Sequence, residues 1–168
     1  NFNTKRQVGS TIKPLLYSLA IEEAGFTPSS MVEDVQQSFG EYGLVPATTT
    51  SCTGATMPMS QALATSKNCA TAYILKQLDA NGNNGAKRFV DFLKRCDFQT
   101  KLDAYPSIAL GACEISLFEM MQSYSMFPGK GFNVKPMYIT RIEDRNGNVL
   151  ATFTPKRKEI ISEVTAYS

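Results

Sequence analysis

Ser10 and Lys13 stand three residues apart in the stretch Arg6-Gln7-Val8-Gly9-Ser10-Thr11-Ile12-Lys13-Pro14, and the chain contains no histidine. A serine nucleophile must hand its proton to a base, and the familiar serine triad uses an imidazole for this. A reactive serine in this chain has to use another base. Lysine serves when burial or a neighbouring cation pulls its ammonium pKa down. On a helix, positions i and i+3 share one face, so the spacing puts hydroxyl and amine side by side. The chemistry on offer is that of a serine nucleophile with a lysine base.

Two residues at this spacing say little alone. Ser-x-x-Lys recurs by chance about once in a chain of this length. Ser10 would serve equally well as a helix N-cap, with Lys13 a solvated first-turn residue. A second polar cluster, Ser66-Lys67-Asn68, falls between two helical stretches, and its bland role is again to cap the helix that follows.

The elements that must hold these residues are mostly helical. Ile12, Leu15, Leu16, Leu19 and Ala20 recur at helical spacing after Gly9-Ser10, and Gly25 is placed to end that helix. Pro14 falls in the first turn, where a missing N–H costs little. Ser10 is therefore expected at or just before a helix N-terminus, whose dipole favours an alkoxide or a developing oxyanion. Residues 26 to about 57, rich in Ser, Thr, Gly and Pro, read as a long irregular connection with short strands, bordering a cleft. Helices are expected over about 59–65, 69–79 and 85–95, with a turn cluster at Asn81-Gly82-Asn83-Asn84-Gly85. Residues 97–114 read as irregular or weakly extended. Ser116 followed by Glu119 forms a capping-box signature for a helix to about Phe127. Met137–Glu143 and Val149–Phe153 flank an Asn-Gly turn and predict a hairpin, before a last helix near Glu159 or Ser162.

Composition sets the outer limits. The chain has 168 residues, 43% hydrophobic and 19% charged, with a net charge of +2, which suits one globular domain with a real core. One dense basic run, Lys156-Arg157-Lys158, is too small for a nucleic-acid footprint, so no nucleic-acid partner is expected. There is no apolar run of about 18 residues or more and no signal peptide. With Asn at position 1, the chain is expected to be a piece of a longer protein. Cys52, Cys69, Cys96 and Cys113 have 16, 26 and 16 residues between them. They form no Cys-x-x-Cys pair, and no histidine completes a mixed site, so neither metal nor cofactor is expected. Disulfides are allowed but not compelled, and four small apolar core residues is the preferred reading.

The segments taken in order resemble the transpeptidase domain of penicillin-binding proteins. Arg6-Gln7-Val8-Gly9-Ser10-Thr11-Ile12-Lys13-Pro14-Leu15 resembles the active-site segment of the bifunctional, class A enzymes. Ser-x-x-Lys is the first motif of that superfamily, accompanied by Ser-Asp-Asn and Lys-Thr-Gly elements. Ala62-Leu63-Ala64-Thr65-Ser66-Lys67-Asn68 is similar to the second, with Lys67 in the middle position. Ala109-Leu110-Gly111-Ala112-Cys113-Glu114-Ile115-Ser116-Leu117-Phe118-Glu119-Met120 and Lys135-Pro136-Met137-Tyr138-Ile139-Thr140-Arg141-Ile142 resemble the family's next two segments. Lys-Thr-Gly itself is nowhere in the chain.

The resemblance implies an α+β, mostly helical, partial β-lactamase/transpeptidase-like fold lacking much of the central sheet. Residues 1–168 would form a single partial domain, a helical portion with a hairpin near 137–154. It implies Ser10 as nucleophile, Lys13 as base, Ser66 as proton relay and Asn68 as substrate-binding residue. The implied reaction is D,D-transpeptidation of peptidoglycan stem peptides ending in D-Ala-D-Ala, with β-lactam antibiotics acylating the same serine. It also implies a membrane-anchored parent on the extracytoplasmic or periplasmic face, with an N-terminal glycosyltransferase domain. Without a third motif the isolated piece is expected to be nearly inactive. The rival readings are a non-catalytic β-lactam sensor or scaffold, a serine β-lactamase, and a purely helical binding module.

Overall fold

In the computed structural model of the protein, which describes residues 3–79 and 84–168, strand β1 (Lys5–Gln7) runs into a 3-10 turn over Gly9–Ile12. Helix α1 (Lys13–Glu23) follows directly. Pro14 occupies its first turn, and Gly25, at φ +72°, ends it while the Ala24 and Phe26 N–H groups fold back on the Ala20 carbonyl. The long connection contains four short strands: β2 (Met31–Glu33), β3 (Gln37–Ser38), β4 (Leu44–Val45) and β5 (Thr56–Pro58). Helices α2 (Met59–Ala64), α3 (Asn68–Leu78) and α4 (Gly85–Arg95) come next. Of the predicted turn cluster before α4, residues 81–83 lie outside the described residues, and Asn84 caps α4 through the Lys87 N–H.

Residues 97–114, expected to be irregular, include a 3-10 turn at Pro106–Leu110 that leads to strand β6 (Glu114–Ser116). Helix α5 (Leu117–Tyr124) begins with the capping box foreseen at Ser116 and Glu119. Burial pushes the Glu119 carboxyl up, but donors from Ser116, Thr100 and Gln99 together outweigh it and hold the group below the usual carboxylate range. Strand β7 (Phe132–Val134), the hairpin β8 (Arg141–Glu143) and β9 (Val149–Thr152), strand β10 (Arg157–Glu159) and helix α6 (Glu163–Tyr167) complete the chain. The ladder is shorter than the predicted hairpin: it begins at Arg141, although the Thr140 carbonyl still accepts from the Phe153 N–H just before it.

The strands pair two by two, all antiparallel: β1 with β6, β2 with β5, β3 with β4, β7 with β10 and β8 with β9. The architecture is α+β, with helices making the core and small sheets at its margins. Helix α1 lies at the centre, packed against α3, α4 and α6. Leu15, Leu16, Leu19 and Ala20 are wholly buried on it, and they meet Ile74, Leu75 and Leu78 of α3 and Phe89, Phe92 and Leu93 of α4 in one cluster. Burying a leucine of this kind stabilises a fold by about 1.5–3 kcal/mol, so the helix carrying the candidate base is among the best anchored elements.

The cysteines correct the sequence reading. Cys52 and Cys69 form a disulfide, with Cα atoms 5.6 Å apart, while Cys96 and Cys113 are free. Sequence spacing could not show this, because the pairing arises only when the loop before β5 folds over the start of α3. Burial pushes the Cys96 thiol up to about 12 and that of Cys113 up to about 11. Both are inert apolar neighbours, as expected for those two.

Candidate active site

Lys13 opens α1 and is 1% exposed, an unusual position for an ammonium group. Its Nζ donates to the Ser66 carbonyl at 2.8 Å, to Ser66 Oγ at 3.0 Å and to Asn68 Oδ1 at 2.7 Å. An ammonium has three N–H donors, and here each has its acceptor. Burial nonetheless lowers the Lys13 pKa from its ordinary value of 10.5, because the charged form has lost bulk water. A charged lysine has no lone pair to accept with, so the Asn68 group that faces it is the amide oxygen. The Asn68 NH2 group is thereby turned away from Lys13, and it has no partner among the described residues.

Ser66 reaches this cluster through a strained backbone. The end of α2 closes as a Schellman motif: the Ser66 N–H donates to the Leu63 carbonyl and the Lys67 N–H to the Ala62 carbonyl. The left-handed position of that motif belongs by preference to glycine, yet Ser66 occupies it at φ +53°. A non-glycine residue held there costs roughly 1–2 kcal/mol. The twist turns both the carbonyl and the hydroxyl of Ser66 onto the lysine.

Ser10 lies just before the N-terminus of α1, as expected, but in a 3-10 turn, so its i and i+3 relation to Lys13 follows 3-10 geometry. In 3-10 geometry i and i+3 eclipse, which keeps Ser10 over Lys13, and the Lys13 N–H donates to the Ser10 carbonyl. The Ser10 side chain is exposed and makes no hydrogen bond among the described residues. The structure thus joins Lys13, Ser66 and Asn68 directly and sets Ser10 one turn away, hydroxyl uncommitted. The capping roles are not used: Ile12 and Lys67 fill the N-cap positions of α1 and α3, neither with a side-chain cap. An open groove of about 520 Å³ runs beside the turn, lined by Gln7, Val8, Thr11, Ile115 and Met120 among others.

The turn carrying Ser10 is braced from outside its own segment. Val8 N–H donates to the Cys113 carbonyl and Gly9 N–H to that of Gly111, each at 3.2 Å. Gly111 has φ +78°, and a Cβ built there would stand 2.0 Å from the Gly9 carbonyl oxygen. Tyr124 OH donates to the Thr11 carbonyl. In sequence Gly111 stands inside the longer family-like segment Ala109–Met120, whose resemblance implies no separate role for it. Its glycine identity is the one signal that could have found it, whereas nothing in sequence points from Tyr124 to Thr11. Among the described residues no group of three His, Cys, Asp or Glu could hold a metal, and no helix is long and apolar enough to cross a membrane.

The family model described as the penicillin binding protein transpeptidase domain matches residues 1–167. The chain belongs to that family. Similar curated proteins are class A enzymes: penicillin-binding protein 1A of Pseudomonas aeruginosa is 32% identical over 167 residues, covering 96% of this chain and 20% of that protein. Penicillin-binding protein 2D of Bacillus subtilis is 32% identical over 178 residues, covering 97% of this chain and 23% of its own length. Among solved structures, penicillin-binding protein 1A from Haemophilus influenzae superposes with a TM-score of 0.76 at 29% identity, over 94% of this chain and 23% of that one. The D,D-transpeptidase domain of a peptidoglycan glycosyltransferase from Eggerthella lenta shares the fold, with a TM-score of 0.77 at 15% identity, over 98% of this chain and 46% of that one. The chain spans about a fifth of the length of the curated relatives.

Proposed function

We propose that residues 1–168 supply the nucleophile, base and second motif of a D,D-transpeptidase that cross-links peptidoglycan stem peptides ending in D-Ala-D-Ala. The observation that carries this is the buried Lys13 amine, bonded to Ser66 and Asn68 one turn from a free Ser10 hydroxyl. A deprotonated Lys13 takes the Ser10 proton as Oγ attacks the carbonyl between the two D-alanines. The scissile C–N bond breaks, and the departing D-alanine amine receives a proton through Ser66. An acyl-serine ester remains. The amine of a second stem peptide then attacks the ester and loses its proton to the same relay, which passes a proton to Ser10 Oγ as the ester C–O bond breaks. Asn68, with its amide oxygen on Lys13, offers its NH2 to a substrate carbonyl. A β-lactam enters by the same attack, and its ring opening leaves the serine acylated.

The Ser10 N–H has no backbone partner among the described residues and supplies one oxyanion donor. Removing one such donor typically lowers a rate by about 10²–10³-fold. Residues 1–168 contain no Lys-Thr-Gly element, and the strands of the described residues pair into two-stranded sheets. We assign the third motif and the larger central sheet to a part of the parent protein outside them. This stretch alone is therefore expected to react slowly. Its parent is assigned a membrane anchor and a glycosyltransferase domain on the extracytoplasmic side, in keeping with its class A relatives, and the Cys52–Cys69 disulfide suits that compartment.

Incubating residues 1–168 and the complete domain with a fluorescent penicillin tests both statements. Stable, stoichiometric label on Ser10 of the complete domain and little on the short chain is the expected result. An unlabelled complete domain would remove the functional reading, and rapid release of hydrolysed drug would mark a β-lactamase instead.

A further inference from the structure

The first turn of α3, which bears Asn68, has no cap of its own. Lys67 offers no side-chain acceptor, and the Thr71 N–H is the first to find an intrahelical partner, at the Lys67 carbonyl. The Ala70 N–H instead donates across the fold to Asp34 Oδ1 at 3.2 Å. Asp34 follows β2, lies 36 residues away in sequence, and is completely buried. Its second oxygen accepts from the Thr53 N–H at 3.0 Å and from Thr53 Oγ1 at 2.7 Å. Its own backbone is locked as well, the N–H donating to the Ala55 carbonyl and the carbonyl accepting from Gly54. A carboxylate at a helix N-terminus satisfies orphan N–H groups and meets the positive end of the dipole. The Cys52–Cys69 bridge fastens the same two segments one residue away on each side.

We propose that Asp34 is a positioning residue for the active site, capping α3 from outside the helix so that Asn68 stays within bonding distance of Lys13. The proposal rests on the functional reading above. A buried carboxylate with donors on both oxygens admits little movement, so the Ala70 N–H fixes the height and rotation of the turn. Asn68, two residues before Ala70, inherits that placement. A small drift would lengthen the bond from Lys13 and let the Asn68 amide rotate. A misplacement of about 1 Å at a reacting site can lower a rate by about 10²-fold.

The test is a double-mutant cycle on acylation of the complete domain by fluorescent penicillin. Asp34→Asn keeps shape but sets an NH2 against donors it cannot accept from. Alone it should lower the acylation rate by about tenfold or more. In an Asn68→Ala background it should lower the rate no further, because the group it positions is gone. An equal fall in both backgrounds would show only general weakening of the fold and would overturn the proposal, as would an unchanged rate in folded Asp34→Asn. Should Asp34→Asn not fold, Thr53→Val removes one hydroxyl donor from Asp34, and the same cycle then supports or overturns the proposal on the same comparison. Failure of the unmodified domain to acylate would overturn the functional reading itself, a result the cycle keeps separate.

Discussion

Replacing Lys13 by alanine in the complete domain is expected to abolish penicillin acylation of Ser10 while leaving the fold largely intact. The expected fall is about 10²–10⁴-fold, the usual contribution of a positioned base. The fold survives because the ammonium gains little from its site: three good hydrogen bonds are offset by the loss of bulk water. The pH dependence has a definite sign. Burial lowers the Lys13 pKa below 10.5, so the acylation rate of the unmodified domain climbs with pH through a midpoint below that value. Between the folded pKa and 10.5 the unfolded chain binds the more protons, so Lys13 makes stability rise with pH across that window. In Lys13→Ala both the rate limb and this contribution to stability disappear. Stopped-flow acylation and thermal melts over the same pH range check the two together, and acylation near the wild-type rate would show that another group is the base.

Gly111→Ala is the second large effect, and it comes from a residue with no chemistry of its own. The new Cβ would overlap the Gly9 carbonyl oxygen, a backbone atom that cannot rotate aside, at a residue already in a left-handed conformation. The neighbouring Gly9 must shift, and with it the turn that presents Ser10. The expected result is a destabilisation of about 1–3 kcal/mol and a fall in acylation of about 10²-fold. Alanine at Gly147, which also has positive φ but nothing within 4 Å, is the control for backbone conformation alone. If the two variants acylate equally well, close approach of Gly111 to Gly9 does not hold the nucleophile.

The parts of the site written in local sequence were the readable ones. Ile12, Leu15, Leu16 and Leu19 mark α1 by their period, Ser116 and Glu119 mark the start of α5, and the gap between α2 and α3 shows as a break around Ser66. Ser10, Lys13, Ser66 and Asn68 were nameable because the short segments that carry them resemble the family's first two motifs, while their spacing alone fits helix caps equally well. What sequence hid was everything that joins distant segments. Lys13 meets Ser66 across 53 positions, Asp34 meets Ala70 across 36, and Tyr124 meets Thr11 across 113. None of these partners has a periodic or compositional signature. The disulfide was hidden for the same reason, and the 3-10 turn at Gly9–Ile12 because so short a stretch has no period that separates it from the first turn of α1.

Ser66 sits where relaxed chains would place a residue without a side chain. Glycine there would ease the backbone and delete the hydroxyl in the same stroke, so thermal resistance and turnover should move in opposite directions at this one position. A screen that rewards heat tolerance alone would drift toward that exchange and yield sturdier, sluggish catalysts. On the proposed function, selection for transpeptidation would have the opposite incentive, because the awkward joint is what turns the Ser66 hydroxyl onto Lys13.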